Sequence, residues 1–335
     1  MSTEKLYSRI ERLTKLSRGF QNSVVFFAAV EFGIFDLLDR AKNLNSKEVA
    51  EKLGLDFRAT DIFLHSLAGM ELLKVEKGLF RNAPLADELL VRGRAHYQGD
   101  IISHNGRLME RWVQLPSVLR TGKPAEGPRS VDDKESRRDF VLGMSNIAGL
   151  SAEKVAGALD LATARSMLDL GGGPGTYSII FCRMNPELAA VVFDLPEVID
   201  EITTALVDEA ALSDRITFIR GDYLKHGYGK GYDLVLVSNI IHSLGVRQNR
   251  DMLGRCYRSM VSGGRIVVKD FLLDEDRVTP AFASMFAVNM LIGTETGGCY
   301  TINEVTGWLE EAGFKRAKLV EITAQARMLV AERPD

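Results

Sequence analysis

The chain has 335 residues, of which 46% are hydrophobic and 26% charged, with 42 lysines and arginines against 45 aspartates and glutamates. The composition excludes a disordered or fibrous protein, and a formal net charge of −3 argues against a surface built to bind nucleic acid. At about 150 residues per domain, the length predicts two domains.

The cysteines and the N-terminal segment restrict the class of protein further. Cys182, Cys256 and Cys299 lie far apart, with no Cys-x-x-Cys or Cys/His cluster, so neither a disulfide framework nor a bound metal is expected. The apolar run at residues 24–30 is too short to span a bilayer, and residues 1–12 lack the core of a signal peptide. These features predict a cytoplasmic protein with no membrane partner.

The first part of the chain, residues 4–90, has apolar residues at helical spacing and few convincing strands. A helix buried on most sides is predicted over residues 24–38, punctuated by Gly33. A short helix follows, with Ser46 as its N-cap and Gly54 as its stop.

The next segments complete a winged-helix arrangement. A second helix is predicted over residues 56–73, and a small two-stranded wing over residues 74–80 turns at Lys77 and Gly78. The apolar side of that helix is formed by Ile62, Phe63, Leu67, Met70 and Leu73. Residues 60–73 contain no Lys or Arg, whereas DNA recognition helices carry basic and amide side chains. We therefore expect a structural use of this module, in dimerisation.

The pattern changes after a further helical region at residues 100–162, which is interrupted by a Gly/Pro loop at residues 121–128. Beyond Arg165, short β-rich runs alternate with helices, which predicts βαβ units and a mostly parallel sheet. The seven predicted strands cover residues 166–170, 189–193, 216–220, 233–237, 265–269, 317–322 and 327–331. The last two are joined by a tight turn near Thr323 and Ala324 and are expected to pair antiparallel.

A glycine-rich run follows the first strand and opens a helix. Gly171, Gly173 and Gly175 let the backbone turn tightly and approach a ligand, with helix N–H groups facing the site. A dinucleotide fingerprint would need Gly or Ala where Thr176 stands, so a nicotinamide oxidoreductase is disfavoured. Asp169, just ahead of the glycines, suits a cationic amine better than a pyrophosphate. S-adenosylmethionine has that amine and carries no phosphate.

Acidic residues also end the next two strands. Asp194 is placed to accept hydrogen bonds from both hydroxyls of a ribose, and Asp222, after Gly221, is placed to meet an adenine amine. Either acid alone could be a solvated loop residue or a helix cap. Together with Asp169 they stand at the C-terminal ends of three successive strands, which predicts a shared nucleoside site.

At this point the sequence resembles the class I S-adenosylmethionine-dependent O-methyltransferases. The segments similar to the motifs of that family are Leu168-Asp-Leu-Gly-Gly-Gly-Pro-Gly175, Phe193-Asp-Leu-Pro196, Gly221-Asp-Tyr223 and Ser262-Gly-Gly264. More narrowly, the chain resembles the branch of hydroxyindole, caffeate and bacterial small-molecule O-methyltransferases, whose N-terminal winged-helix dimerisation domain opens with a segment similar to residues 28–38.

The resemblance implies a fold, an organisation and a cofactor. The fold is α/β, with a Rossmann-like, doubly wound, seven-stranded sheet whose last strand pair is antiparallel, preceded by a mostly helical winged-helix domain. Residues 1–100 would form the dimerisation domain of a homodimer, and residues 101–335 a helical connector and the methyltransferase domain. The cofactor would be S-adenosylmethionine, with S-adenosylhomocysteine as product.

The resemblance also implies the roles of individual residues. The implied cofactor-binding residues are Asp169, Gly171, Gly173, Gly175, Asp194, Leu195, Gly221, Asp222, Tyr223 and Ser238. The general base would be His242, after the fourth strand, with Asp270 as its carboxylate partner. The implied substrate-binding residues are Met109, Trp112, Met144, Asn146, Phe286, Asn289 and Met290.

Methylation of a hydroxyl on an aromatic or polyketide-like small molecule is the leading hypothesis. A phenol has a pKa near 10 and is a poor nucleophile at neutral pH, and a histidine base accelerates such a reaction by about 10²–10⁴. In an open α/β sheet the strand order would reverse between the first and fourth strands, which would bring the Gly171 loop and His242 to one crevice.

Two alternatives remain open. The family's Trp after the histidine is absent from His242-Ser-Leu-Gly, and a second Glu has no match near residues 298–300. A family member that uses the cofactor for decarboxylation, hydroxylation or a pericyclic reaction would accommodate these differences. A ligand-sensing transcription regulator is the third hypothesis, which the acidic recognition helix disfavours.

Overall fold

The computed structural model describes residues 3–127, 133–323 and 326–335. Pro128 of the predicted loop and Ala324 of the predicted turn lie outside these ranges. The chain divides into two compact units, Met1–Met109 and Glu110–Asp335.

The first unit is mostly helical. Its elements are α1 (Thr3–Glu31), α2 (Ile34–Arg40), α3 (Ser46–Leu53), α4 (Phe57–Gly69), β1 (Leu73–Glu76), β2 (Leu79–Asn82), α5 (Pro84–Leu89) and α6 (Gly99–Trp112), of which α6 continues into the second unit. Strands β1 and β2 pair antiparallel, with Val75 opposite Phe80. Helix, turn, helix and hairpin therefore follow in the predicted order.

The predicted helix over residues 24–38 consists of two helices, separated at Gly33, the residue expected to punctuate it. Gly33 adopts a left-handed backbone with φ 66°, and the chain breaks there into α1 and α2. Within this range the buried residues include Ala29, Ile34, Phe35 and Leu38, as predicted, whereas Leu13, nearer the start of α1, is 67% exposed. Over the described residues no single helix is long and apolar enough to cross a membrane, although α1 and α2, bent by 50°, meet that test as a pair.

The caps and faces of the next two helices also differ from the prediction. Asn45, not Ser46, caps α3: its side chain accepts from the Glu48 N–H at 3.0 Å, while the Glu48 carboxylate accepts from the Asn45 N–H at 2.8 Å. Helix α4 ends at Gly69, earlier than predicted, and Leu73 already belongs to β1. Ile62, assigned to the apolar side of α4, is 56% exposed, because Leu64 and Leu67 form the buried face.

The second unit is built around one sheet. Its helices are α7 (Leu115–Thr121), α8 (Lys134–Gly149), α9 (Ala152–Leu159), α10 (Thr176–Met184), α11 (Pro196–Val198), α12 (Thr204–Glu209), α13 (Val246–Ser259), α14 (Ala281–Gly293) and α15 (Ile302–Glu311). Its strands are β3 (Ser166–Leu170), β4 (Ala189–Asp194), β5 (Ile216–Arg220), β6 (Tyr232–Ser238), β7 (Met260–Asp270), β8 (Lys315–Glu321) and β9 (Arg327–Glu332). A π-helical segment, Ile199–Thr203, joins α11 to α12.

The seven strands are ordered β5-β4-β3-β6-β7-β9-β8. The five strands β3 to β7 are parallel, and β9 runs antiparallel to both β7 and β8. The chain moves outward from β3 to β4 and β5, then returns to place β6 on the other side of β3. This topology confirms the predicted doubly wound sheet with an antiparallel final pair.

The two faces of the sheet carry separate hydrophobic cores. One core contains Leu168 and Val268 with residues of α13 and α15, and the other contains Met167 and Val267 with residues of α9 and α10. Successive side chains of a strand point to opposite faces. Neighbouring residues at the strand ends therefore face different layers, so polar groups that are adjacent in the sequence have different surroundings.

Candidate active site

The strand order reverses between β3 and β6, and the loops that follow these two strands diverge from a common edge. The register pairs Leu170 with Val237, so the next residues, Gly171 and Ser238, come to the same edge of the sheet. Ligands of open α/β sheets bind at such a reversal. The glycine-rich loop and the turn that carries His242 both leave from this point.

The glycine loop is closely packed against the turn after β6. Gly171 has a left-handed φ of 65°, and a Cβ on it would lie 2.4 Å from Cδ1 of Ile240 and 3.7 Å from Cε1 of Tyr223. Gly173 and Gly175 also have positive φ, and Gly175 precedes the first turn of α10. The loop therefore has no side chains that would block a close approach of a ligand, while the N–H groups of Gly171 and Gly175 donate within the protein, to Phe193 and Gly172.

Asp194 holds this loop from the end of β4. Its Oδ2 accepts from the Gly173 N–H and its Oδ1 from the Leu195 N–H, each at 2.7 Å. Burial raises the pKa of the Asp194 carboxyl, and these two hydrogen bonds oppose that shift. Each oxygen keeps a lone pair that could accept a hydroxyl donor.

Asp169 lies beneath the loop and faces α10. It is 1% exposed, and its Oδ2 accepts from Oγ of Ser178 on α10 at 2.8 Å. A Cβ on Gly172 would lie 2.7 Å from its Cγ. Burial raises the pKa of Asp169 to about 6, and the nearby Asp194 acts in the same direction. The contact that the structure shows is with Ser178, and the expected contact with a ligand amine stays a prediction.

Asp222 and Tyr223 follow β5 and flank the same edge. Oδ1 of Asp222 accepts from the Leu224 N–H at 2.9 Å, and Oδ2 pairs with Nζ of Lys225 at 3.0 Å. Its partial burial raises the pKa of Asp222, but the hydrogen bonds and charge of these partners outweigh burial and hold the pKa below its usual value. Burial raises the pKa of Tyr223 to about 12, so this hydroxyl is neutral. A Cβ on Gly221 would meet His226 at 2.9 Å.

Along the strand order, polar groups therefore follow one another at β5, β4, β3 and β6. The last of them, Oγ of Ser238, is buried and has no hydrogen-bond partner among the described residues. This row of groups suits a nucleoside that carries an amino-acid tail. It contains carboxylate acceptors, a loop without side chains and a hydroxyl that has no partner. Over the described residues, no cluster of three potential metal ligands occurs.

His242 and Asp270 form a buried pair beside this row. Nδ1 of His242 lies 2.8 Å from Oδ1 of Asp270, and the two side chains are 10% and 2% exposed. The Phe271 N–H donates to the same oxygen at 2.8 Å. An ionised carboxylate only accepts, so this contact assigns the proton of a neutral imidazole to Nδ1 and leaves the Nε2 lone pair free. No described residue forms a hydrogen bond with Nε2.

Two aromatic rings enclose the imidazole. Phe271 stacks on it at a centroid distance of 5.9 Å, and Phe286 of α14 meets it edge-on at 4.9 Å. Phe286 is one of the residues expected to contact a substrate. Phe271 was missed, although an aromatic residue directly after Asp270 is a visible signal in the sequence.

The other expected substrate residues fall into separate groups. Trp112 donates from Nε1 to Oδ1 of Asn289 at 3.1 Å, and Met290 is buried beside Asn289 on α14. Met144 and Asn146 lie on α8, whose Ser145 forms a hydrogen bond of 2.9 Å with Thr176 at the start of α10. Residues two apart on a helix do not share a face, so these two side chains do not line one wall together.

Met109 is the last residue of the first unit, and the other six expected substrate residues belong to the second. Within the second unit, Phe286 is the one member of the six in ring contact with His242 among the described residues. The pair Trp112–Asn289 ties the end of α6 to α14.

Comparison with known proteins identifies two family matches. A family described as an O-methyltransferase domain matches residues 127–315, and one described as an O-methyltransferase dimerisation domain matches residues 14–92. The chain is 31% identical to a 3-hydroxy-5-methyl-1-naphthoate 3-O-methyltransferase of Streptomyces sahachiroi, over 93% of this chain and 91% of that protein.

Two further relatives extend the comparison. The chain is 30% identical to the tetracenomycin polyketide synthesis 8-O-methyl transferase TcmO of Streptomyces glaucescens, over 96% of each chain. Its fold superimposes on the crystal structure of human N-acetylserotonin methyltransferase in complex with SAM with a TM-score of 0.89, at 27% identity over 98% of both chains.

Proposed function

The chain belongs to the O-methyltransferase family, and on this premise we propose that it methylates a hydroxyl of an aromatic or polyketide-like small molecule with His242 as general base. The methyl donor is S-adenosylmethionine and the other product is S-adenosylhomocysteine. The observation that carries the assignment of the base is the buried pair of His242 and Asp270, beside the glycine loop and with Nε2 unpaired.

When bound, S-adenosylmethionine supplies an electrophilic methyl group. Nε2 of His242 would take the proton of the acceptor hydroxyl as the oxygen attacks, and Asp270 would stabilise the imidazolium that forms. Phe271 and Phe286 would keep water away from the imidazole, which strengthens its attraction to Asp270. Proton removal of this kind contributes about 10²–10⁴ in rate.

The cofactor-binding part of the proposal follows the row of polar groups. Asp194 would accept from the ribose hydroxyls while it holds the loop, and Asp222 with Tyr223 would flank the adenine. Gly171 would allow the backbone to approach the ligand. Asp169 would act indirectly, since its carboxylate supports the loop through Ser178.

The acceptor proposed is a flat ring held near α14. Phe286 and Met290 offer apolar surface, and the Asn289 amide, fixed by Trp112, offers polar groups for orientation. By their names, one of the two bacterial relatives described above methylates a naphthoate, and the other belongs to the synthesis of a polyketide.

The organisation implied by the resemblance is part of the same proposal. We propose a homodimer formed through residues 1–100, because a dimerisation domain matches residues 14–92 and the long helix α1 exposes Leu13 and other apolar residues. Residues 101–335 would carry the connector and the catalytic domain. A cytoplasmic location agrees with the three cysteines, which are buried free thiols.

The decisive experiment follows both the methyl group and the cofactor. We expect radioactive methyl from S-adenosylmethionine to appear in a phenolic acceptor, with a mass gain of one CH₂. His242→Ala should lose nearly all transfer and still bind S-adenosylhomocysteine by calorimetry, whereas His96→Ala, at an exposed histidine of the first unit, should keep both. An unmethylated product would favour the non-methylating chemistry instead, and absent cofactor binding would refute the proposal.

A further inference from the structure

Lys269 is a buried lysine that the mechanism above does not use. It precedes Asp270 at the end of β7 and is 2% exposed. Its Nζ has one hydrogen-bond partner among the described residues, Oδ1 of Asn239 at 3.5 Å, and lies 5.8 Å from the ring centroid of Tyr177. No carboxylate of the described residues lies within ion-pair distance, 4.0 Å, of this nitrogen.

Such an environment leaves the ammonium incompletely satisfied. An ammonium group has three donors, and a buried charge is strongly unfavourable unless it is paired and hydrogen-bonded. One long hydrogen bond and one distant aromatic ring do not meet that requirement. The geometry therefore points to an anion that completes the site.

Ser238, which lies beside Lys269 on the neighbouring strand, also has an unsatisfied polar group. The register of β6 and β7 pairs Ser238 directly with Lys269, and their side chains leave the sheet on the same face. Oγ of Ser238 is buried without a partner among the described residues. A cation and a hydroxyl donor, both unsatisfied and adjacent across two strands, form a binding site for a carboxylate.

The order of the strands identifies which carboxylate this is. If the nucleoside lies over β5 and β4, as proposed above, its tail continues across the glycine loop of β3 toward β6 and β7. The tail of S-adenosylmethionine ends in an amino acid. We propose that Lys269, with Ser238, binds the α-carboxylate of the cofactor, an inference that rests on the proposed function.

The rival ligand is the carboxylate of an acidic acceptor. Lys269 shares its face of the sheet with Val267 and with Tyr177 of α10, which belong to one core. Asp270, and with it His242, lies on the opposite face. An acceptor bound at His242 is therefore on the wrong side of β7 to reach Lys269, and the cofactor is favoured.

The test compares two ligands that differ only in this carboxylate. S-adenosylhomocysteine carries it, and its decarboxylated analogue, S-adenosyl-3-thiopropylamine, keeps the amine and lacks the carboxylate. By calorimetry we expect Lys269→Met to bind S-adenosylhomocysteine about 30-fold or more weakly, the factor typical of removing one partner of a buried charge pair. Its affinity for the analogue should stay within about threefold of the wild-type value.

Two further variants sharpen the comparison. Ser238→Ala should weaken S-adenosylhomocysteine by a smaller factor, about 3- to 10-fold, as expected for one neutral hydrogen bond, and leave the analogue unchanged. Lys315→Met removes an exposed lysine of β8, the last strand in the order of the same sheet, and should change the affinity for neither ligand. Without ligand, Lys269→Met should unfold at the same temperature as the wild type or higher, since an unpaired buried charge is removed.

Several outcomes would overturn the inference. An equal loss of both ligands, or a lower unfolding temperature, would show that Lys269 merely supports the Asn239 turn. A changed KM for an acidic acceptor alone would assign the site to that acceptor. Should Lys269→Met not fold, the wild type still decides, because equal affinity for both ligands contradicts a carboxylate site. If neither ligand binds the wild type, the proposed function itself fails.

Discussion

Asp270→Asn isolates what the buried carboxylate contributes to the histidine. Oδ1 of Asp270 accepts both from Nδ1 of His242 and from the Phe271 N–H, each at 2.8 Å. An amide oxygen can occupy the same position, so the variant keeps the tautomer and removes the negative charge, while the amide nitrogen takes the place of Oδ2, which is buried without a partner among the described residues. The residues proposed to hold the nucleoside lie on other strands, and the side chain of Lys269 is on the opposite face of β7, so the methyl donor site is not altered.

The loss of rate in Asp270→Asn can be bounded from the distance between Nδ1 of His242 and Oδ1 of Asp270. Two unit charges 2.8 Å apart interact by about 6 kcal/mol at an effective dielectric constant of about 20, which sets the upper limit. A charge-assisted hydrogen bond exceeds a neutral one by about 1 kcal/mol, which sets the lower limit. With both side chains buried, we expect kcat to fall by about 10²–10³.

The assay is methyl transfer at saturating acceptor, with S-adenosylhomocysteine affinity measured separately by calorimetry. Affinity should be unchanged in Asp270→Asn, and Asp274→Asn should retain the wild-type rate, because Asp274 pairs with Arg327 nearer the surface. Residues that act as a unit give non-additive losses. The double variant with His242→Ala should therefore be no slower than His242→Ala alone.

Wild-type turnover in Asp270→Asn would refute this reasoning. So would a double variant whose loss equals the product of the two single losses, because independent contributions would then replace the pair.

Three other predictions concern the loop, its pH dependence and the dimer. Gly172→Ala should destabilise the fold by about 1–3 kcal/mol and weaken the binding of S-adenosylhomocysteine, because its Cβ would lie 2.7 Å from the Asp169 carboxyl. Gly298→Ala, whose Cβ would point into open space, should change neither the unfolding temperature nor the affinity measured by calorimetry. Burial raises the pKa of Asp169 to about 6, so the folded protein holds a proton that the unfolded chain releases near pH 4. This carboxyl therefore stabilises the fold most below about pH 4, and that contribution is lost as the pH rises to about 6. Asp169→Asn should remove this part of the pH dependence of the unfolding temperature. An unchanged pH dependence in the variant would contradict the raised pKa. Leu13→Glu, at a side chain 67% exposed, should convert the proposed dimer to a monomer in sedimentation, while Lys15→Glu should not. A Leu13→Glu variant that remains dimeric would place the interface elsewhere.

Local periodicity was sufficient to predict the strands of the sheet. The first strand and the third were predicted with the bounds that the structure gives, Ser166–Leu170 and Ile216–Arg220, because buried strands are short apolar runs between turn residues. Strand β7 begins at Met260, earlier than the predicted residue 265, because the glycines at 263–264 lower the strand propensity there. The cap of α3 was misplaced by one residue for a similar reason, since Asn and Ser are both good caps and only the hydrogen bonds decide between them.

The residues of the candidate site could be predicted from the sequence, but the directions of their side chains could not. Glycines and acids at strand ends are visible in the sequence, whereas the face that each side chain takes depends on pairing with distant strands. Asp169 turns to Ser178 and Lys269 lies under α10, and neither contact involves neighbours in sequence. Phe271 became part of the histidine environment only because the end of β7 meets the turn after β6.

Adjacent opposite charges at the end of β7 constrain any redesign of this enzyme. Lys269 and Asp270 project into different layers. Deleting a single residue between Arg265 and Val268 would shift the alternation of the strand by one position. The ammonium would then take the place of Val268 in the core with α13 and α15, and the carboxylate would take the place of Lys269 beneath α10. A substitution in this strand therefore changes one side chain, whereas a change of its length exchanges the faces of all the strand residues that follow.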